Sequence, residues 1–249
     1  MQDKEYNALL VSEVSEREFE RKIVKRKISD LPENDTLIRV QYTGLNYKDA
    51  LSSTGNKGVT RKYPHQPGID ASGVVEQCGS NEFIPGDEVL VTGYDLGMNT
   101  DGGFGEYIRV PSGWVVRKPA SLSLEDCMIY GTAGFTAALG IDRMLRMGQD
   151  PEAGPVVVTG ATGGVGSMAV AILSKIGFEV LAATGKEDAR NYLLDLGAKE
   201  VVGRDEVDDQ SGRPLLRPKW AGGFDTVGGN ILDTVLKACN VHGLSLIHI

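Results

Sequence analysis

The feature that most constrains this chain is the run Val156-Val-Val-Thr-Gly-Ala-Thr-Gly-Gly-Val-Gly-Ser167. Three valines favour an extended strand, and the glycines that follow permit a tight turn that side chains would obstruct. An apolar pattern with helical spacing begins at once. Ala161, Gly163 and Gly166 fit A-x-G-x-x-G, a close relative of the dinucleotide-binding turn G-x-G-x-x-G. The chemistry needs this form: backbone must approach a pyrophosphate closely, and the helix start offers unpaired N–H groups and a positive dipole end. Gly160, Ala161, Thr162, Gly163, Gly164, Val165, Gly166 and Ser167 are therefore candidate cofactor-binding residues, with Gly166 also letting the helix pack on the strand. The bland reading is a structural glycine turn. The strand before, the helix after and a second strand about 20 residues on meet the context of a cofactor site.

Around this turn, strand and helix patterns alternate. Strands are predicted at 155–159, 179–183, 200–202 and 224–227, and helices at 165–176, 188–196 and 231–239. Such alternation means a parallel sheet with helical crossovers. Before about residue 121 the pattern differs. Short apolar runs at 8–11, 37–42, 73–76, 88–92, 107–110 and 114–116 are separated by Gly, Pro, Asn or Asp, as in a compact barrel-like β domain. Ser121 with Glu125 reads as a helix start, and 127–147 has helical spacing. The boundary is predicted near residue 125.

The end of the second strand should read the ribose. A site for NAD usually has an acid there, but this chain has Thr184-Gly-Lys186, with Arg190 close behind. Lys186 and Arg190 can pair with a 2′-phosphate while Thr184 donates a hydrogen bond, which favours NADPH. Glu187 and Asp188 count against this, yet they suit the first turn of the next helix equally well. The alternative is that Lys186 and Arg190 are solvated surface charges.

Four further motifs stand in one order: Gly44-Leu-Asn-Tyr-Lys-Asp-Ala50, Pro67-Gly-Ile-Asp-Ala71, Asp101-Gly-Gly-Phe-Gly-Glu-Tyr107 and Gly131-Thr-Ala-Gly-Phe-Thr136. Together with the glycine turn they resemble the medium-chain dehydrogenase/reductases over roughly residues 7–242. More narrowly, they resemble the zinc-free YhdH/YhfP-type quinone oxidoreductases, a group that includes NADPH-dependent acryloyl-CoA reductase. The resemblance implies an α/β fold class: a β-rich GroES-like domain over residues 1–125, then a Rossmann domain over 126–249. It implies Tyr47 in the active-site wall, as a cofactor contact or proton donor, and Asn46 orienting a substrate carbonyl. It suggests Thr132 and Arg204 as cofactor contacts, and Asp70 as a structural residue rather than a base. The bland alternatives are a half-buried tyrosine with a local hydrogen bond at Tyr47 and a helix-packing turn at Thr132.

Zinc-bearing members of that superfamily place a cysteine where this chain has 46–49, and Gly-His-Glu where it has Gly68-Ile-Asp70. A catalytic zinc needs about three protein ligands, and Asp49 and Asp70 alone do not make that set. With three cysteines, Cys78, Cys127 and Cys239, no four-cysteine lobe is possible. No metal is expected. Without a Lewis acid at a carbonyl oxygen, a conjugated alkene is the better substrate, because hydride adds at the β carbon and the charge spreads to an oxygen that hydrogen-bond donors can stabilise. An enoyl-CoA or a quinone supplies the activation. The basic stretch Lys57, Arg61 and Lys62 would suit the phosphates of an acyl-CoA, or is a solvated turn. A non-catalytic NADP-binding protein of crystallin or regulatory type is the competing reading.

A net charge of −8 excludes bulk attraction to nucleic acid. Widely separated cysteines, an opening without a signal-peptide pattern and the absence of a long apolar run make a cytoplasmic protein with no membrane partner the expectation. The resemblance implies a homodimer for a full-length family member. It fades after Asn240-Val-His-Gly243, so a C-terminally shortened family member is expected. Residues 244–249 are then a partial strand or unrelated sequence, with an uncovered sheet edge, lowered stability and weak nicotinamide binding.

Overall fold

The computed structural model describes residues 3–247, in two compact units, Met1–Thr132 and Ala133–Ile249. The first begins with a hairpin of β1 (Glu5–Ser15) and β2 (Glu18–Lys27). Seven of the ten residues of β2 are charged, so it has no apolar alternation, and β1 supplies its backbone partners. A half-buried ion pair, Arg26 to Asp101 at 2.9 Å, ties the hairpin down.

The chain continues through β3 (Thr36–Tyr42), the short helix α1 (Tyr47–Ser53), β4 (Asp70–Cys78), β5 (Glu88–Thr92), β6 (Tyr107–Val110) and β7 (Val116–Arg117). The last five strands form an antiparallel sheet in the order β6-β3-β4-β5-β7. Strand alternation sends Ile38, Ala71, Val75, Val89, Val91 and Ile108 into one core, while Leu37 and Tyr107 face Tyr6 and Ala8 on the other side. The run 114–116 is not one strand: Ser112–Trp114 forms a single 3-10 turn after Pro111, and β7 starts only at Val116. Helix α1, with seven residues, shows no apolar stripe and was not legible from periodicity.

Helix α2 (Leu124–Arg146) begins within the expected start at 121–125, with Glu125 in its first turn. Of the two serines there, Ser123 caps it: the Ser123 hydroxyl accepts the Asp126 N–H at 3.0 Å and donates to Asp126 Oδ2 at 2.6 Å. The helix is interrupted at Gly131, whose φ of 46° and ψ of −153° lie outside the helical region.

The second unit contains β8 (Val156–Val158), α3 (Gly164–Lys175), β9 (Val180–Ala183), α4 (Arg190–Asp195), β10 (Glu200–Val202), β11 (Trp220–Asp225), α5 (Gly229–Lys237) and β12 (Cys239–Ile247). The sheet is parallel, in the order β10-β9-β8-β11-β12. Val156 and Val158 face a core shared with Ala137, Ile141, Met144, Ala169 and Leu173, while Val157 packs with Trp220, Val235 and Ala238 on the opposite face. Burial of all three valines on both faces is why their run reads as continuously apolar. Three expectations shift here. The strand expected at 224–227 is Trp220–Asp225, and the helix expected at 231–239 ends at Lys237, with Cys239 opening the next strand. The helix expected at 188–196 begins as a 3-10 turn, Glu187–Ala189. The sheet also does not stop after β11. The tail is strand from Cys239 to Ile247, parallel to β11, and residues 248 and 249 lie outside the described residues.

Candidate functional site

In an open parallel sheet, ligands bind beyond the carboxyl ends of the strands, where the strand order reverses. Here that point lies between β8 and β11, and the glycine turn leaves β8 there. The turn is braced from below by groups the sequence reading passed over. The Thr159 hydroxyl donates to the fully buried Asp225 carboxylate at 2.6 Å, and the Thr226 hydroxyl donates to the Thr159 carbonyl at 2.9 Å. Gly160 has φ +58°, and a β-carbon there would lie 2.3 Å from Thr226 Oγ1. A threonine ending one strand and an aspartate ending another was the available signal, visible only once the two strands are neighbours.

The residues of the turn divide by role. Ala161 is buried and gives its N–H to Ala183 at 3.1 Å. A β-carbon on Gly166 would fall 2.3 Å from the Gly160 carbonyl, so this glycine is needed for the turn to close and for α3 to seat on it. Ser167 is buried, with its hydroxyl on the Gly164 carbonyl at 3.1 Å, and Val165 packs against the core. Gly163 and Gly164 are exposed, and a β-carbon on Gly163 would meet only the Gly160 carbonyl, at 3.3 Å. Gly163 precedes the first turn of α3, whose leading N–H groups have no i−4 acceptor within the helix. An anion can reach that face, and the residues present fit a dinucleotide pyrophosphate.

Beyond β9 a cleft of about 360 Å³ is lined by Thr184, Lys186, Glu187, Arg190, Arg204 and Asp205, among others. A smaller one of about 60 Å³ shares Thr184, Gly185, Lys186 and Arg204 with it and reaches Gly160, Thr162, Val227 and Ile231. The fold thus gathers Thr162, Thr184, Lys186, Arg190 and Arg204. The Thr184 hydroxyl accepts the Lys186 N–H at 3.1 Å and lies 3.4 Å from Thr162 Oγ1, so it braces the loop as well as lining it. Arg190 donates to the Val201 carbonyl at 2.9 Å. Arg204 lies over Gly185, where a β-carbon would sit 2.8 Å from its Nε.

In the first unit, Asn46 immediately precedes α1, and Tyr47 is its first residue. The backbone N–H of Asn46 donates to Asp49 at 2.7 Å and its Nδ2 to Asp70 at 2.8 Å. Asp49 also accepts the Ile69 N–H at 2.9 Å, and burial pushes its carboxyl above the usual carboxylate range. Tyr47 is 80% exposed, which overturns the half-buried alternative, and its hydroxyl has no hydrogen bond to the described residues. The Thr132 hydroxyl and N–H both donate to Asp70, at 2.6 and 2.9 Å. These two bonds hold the helical run that restarts after Gly131 to the first residue of β4. Lys57 pairs with Glu13 at 2.6 Å and lies over the rings of Phe19 and Tyr63, and Arg61 and Lys62 are exposed. Among the described residues no group of three or more His, Cys, Asp or Glu is placed to hold a metal, and no helix is long and apolar enough to cross a membrane.

Residues 32–120 match the model of the alcohol dehydrogenase GroES-like domain. YhfP of Bacillus subtilis is 47% identical over 86% of this chain and 65% of its own length. The acrylyl-CoA reductase AcuI of Ruegeria pomeroyi is 43% identical over 93% of this chain and 70% of its own. The chain thus spans about two thirds of the length of these curated relatives. The crystal structure of the yhdH oxidoreductase from Salmonella enterica in complex with NADP superposes with a TM-score of 0.92 at 42% identity, covering 97% of this chain and 74% of that one. Bacillus subtilis yhfP with NAD bound superposes with a TM-score of 0.94 at 42% identity, over 98% and 74%. Extended matches in sequence and in both kinds of unit carry one conclusion: the chain belongs to the medium-chain dehydrogenase/reductase superfamily, in its branch of YhdH/YhfP-type quinone oxidoreductases and acryloyl-CoA reductases.

Proposed function

We propose that this chain is an NADPH-dependent oxidoreductase that reduces an activated carbon–carbon double bond, in an acryloyl-CoA-like enoyl thioester or in a quinone or enone. The observation that carries the cofactor half is the convergence of an open glycine face at the start of α3 with a cleft holding Lys186, Arg190 and Arg204. The substrate half is supported by the Ruegeria relative, an acrylyl-CoA reductase. One relative is crystallised with NADP and another with NAD. The cations of this chain's cleft favour the phosphorylated form.

Gly163, Gly164 and the N-terminus of α3 hold the pyrophosphate, Thr184, Lys186 and Arg204 the phosphorylated ribose, and Val227 and Ile231 offer apolar contact to the base. When bound, NADPH supplies a hydride to the double bond and leaves oxidised, and one proton from solvent or a side chain completes the product. Asn46 orients the activating carbonyl, and its amide hydrogen stabilises charge gathering on that oxygen. The exposed phenol of Tyr47 serves the reacting end, as a contact or as a proton donor at its hydroxyl.

The test is loss of NADPH absorbance against acryloyl-CoA, crotonoyl-CoA and quinones, with NADPH binding measured alongside by fluorescence. Turnover with one of these acceptors and saturable binding are expected. Tight binding with no turnover on any acceptor would replace the enzymatic reading with the non-catalytic one.

A further inference from the structure

Asp70 is 1% exposed, and no cation lies within ion-pair distance of it among the described residues. A carboxylate buried in this way needs hydrogen bonds to replace its water. Asp70 finds three: Oδ2 accepts Asn46 Nδ2–H at 2.8 Å and Thr132 N–H at 2.9 Å, and Oδ1 accepts the Thr132 hydroxyl at 2.6 Å. Its surroundings are cut to size. A β-carbon on Gly131 would sit 2.6 Å from Oδ2, and one on Gly44 would sit 3.2 Å away. Gly131 breaks α2 there, so a helical run restarts at Thr132 with its leading N–H on the carboxylate, the favourable place for negative charge.

Asn46 is therefore gripped at both ends, its backbone N–H by Asp49 and its carboxamide by Asp70. We propose that Asp70 is a positioning residue that fixes the Asn46 carboxamide in one orientation. With one Nδ2 hydrogen on Asp70 and its side-chain oxygen turned to the backbone N–H of Asp49 at the start of α1, Asn46 has its second Nδ2 hydrogen left to offer. A carboxamide flip would exchange donor for acceptor and set an oxygen against the substrate oxygen on which charge gathers. A hydrogen bond to a carboxylate also polarises the amide. Asp70 prevents the flip without touching substrate. The inference rests on the reductase reading for its kinetic consequence, while the orientation itself is independent of that reading.

The orientation is tested on the unmodified chain by NMR of the Asn46 side-chain amide. One of its two Nδ2 protons should be shifted downfield and protected from exchange with solvent, and the other should not. Asp70→Asn, isosteric but uncharged, should abolish that added shift and protection, lower kcat about tenfold or more and leave NADPH affinity within a factor of about two. Asp70→Glu should fail to restore kcat, because Gly44 and Gly131 leave no room for a longer acid. Ordinary side-chain amide shifts with equal, unprotected exchange of both Nδ2 protons in the unmodified chain overturn the proposal whether or not the variants fold. So does unchanged kcat in a folded Asp70→Asn. If the unmodified chain shows the asymmetric amide but turns over no acceptor, the reductase reading falls and the orientation stands.

Discussion

Lys186, Arg190 and Arg204 share one cleft, but they are not equally committed. Arg190 spends a donor on the Val201 carbonyl, whereas Lys186 and Arg204 make no ion pair among the described residues. Replacing Lys186 by alanine should cost NADPH about 1.5–3 kcal/mol, roughly ten- to hundred-fold in Kd, by loss of one charge-assisted bond. NADH lacks the 2′-phosphate, so its Kd should barely move, and parallel fluorescence titrations that show equal losses would reject the assignment. A second residue, His65, bears on stability. It is 4% exposed, with Nε2 buried and unpartnered and Nδ1 3.7 Å from an Asp101 already paired with Arg26. Burial holds its pKa below the ordinary 6.5, so the folded state prefers the neutral ring. The unfolded chain gains a proton first on acidification. The stability that neutral His65 contributes is therefore full above about pH 6.5 and is lost as pH falls toward the folded pKa, by up to about 1.4 kcal/mol per pH unit. Urea midpoints at neutral and mildly acid pH should fall less steeply for His65→Gln than for the parent, and matching slopes would remove His65 from the account.

At the scale of an element, the turn between β8 and α3 contains two kinds of glycine. Gly166 is packed against the Gly160 carbonyl, and Gly163 faces solvent with an extended φ of −77° that any residue adopts. Gly163→Val should leave the thermal midpoint within a few degrees, consistent with a surface change below about 0.5 kcal/mol, yet weaken NADPH binding by tenfold or more by blocking the approach to α3. Gly166→Val should instead destabilise the unit by several degrees, because backbone must move to admit the side chain. If circular-dichroism melts and NADPH titrations rank the two variants the other way, the division of roles is wrong. The same lesson holds elsewhere in the fold. Two elements escaped periodicity, β2 and α1: the first is a charged edge strand held by its partner's backbone, the second one short helix fixed by a capping aspartate.

For the molecule as a whole, the outer edge of the second sheet bears on association. β12 is its last strand, and near its start Val241 is 84% exposed beside a bulge where His242 has φ +65°. An edge strand with exposed apolar residues pairs readily with another copy. We propose this edge as a surface on which copies of the chain associate. Light scattering should show mass rising with concentration, and Val241→Lys should reduce that rise. A concentration-independent monomer would count against the edge as an interface.

Local chemistry was enough to read some of this protein. Val156 to Ser167 announced strand, turn and helix because each step depends on neighbouring residues: β-branched stiffness, glycine freedom, then helical spacing. The limits of β5, β6 and β10 followed from apolar runs bounded by turn residues for the same reason. What the sequence could not decide were contacts between residues far apart in the chain. Asp70 reads as one acid in a loop motif until β4 and the break in α2 bring it to Asn46 and Thr132, 24 and 62 residues away. Asp225 meets Thr159 across 66 residues. Lys57, in a basic stretch open to either a phosphate or a solvated-turn reading, meets Glu13, 44 residues earlier. Buried charge must find partners wherever the fold puts them, so the residue types of a site are legible in the sequence, and their pairing is decided only by the tertiary structure.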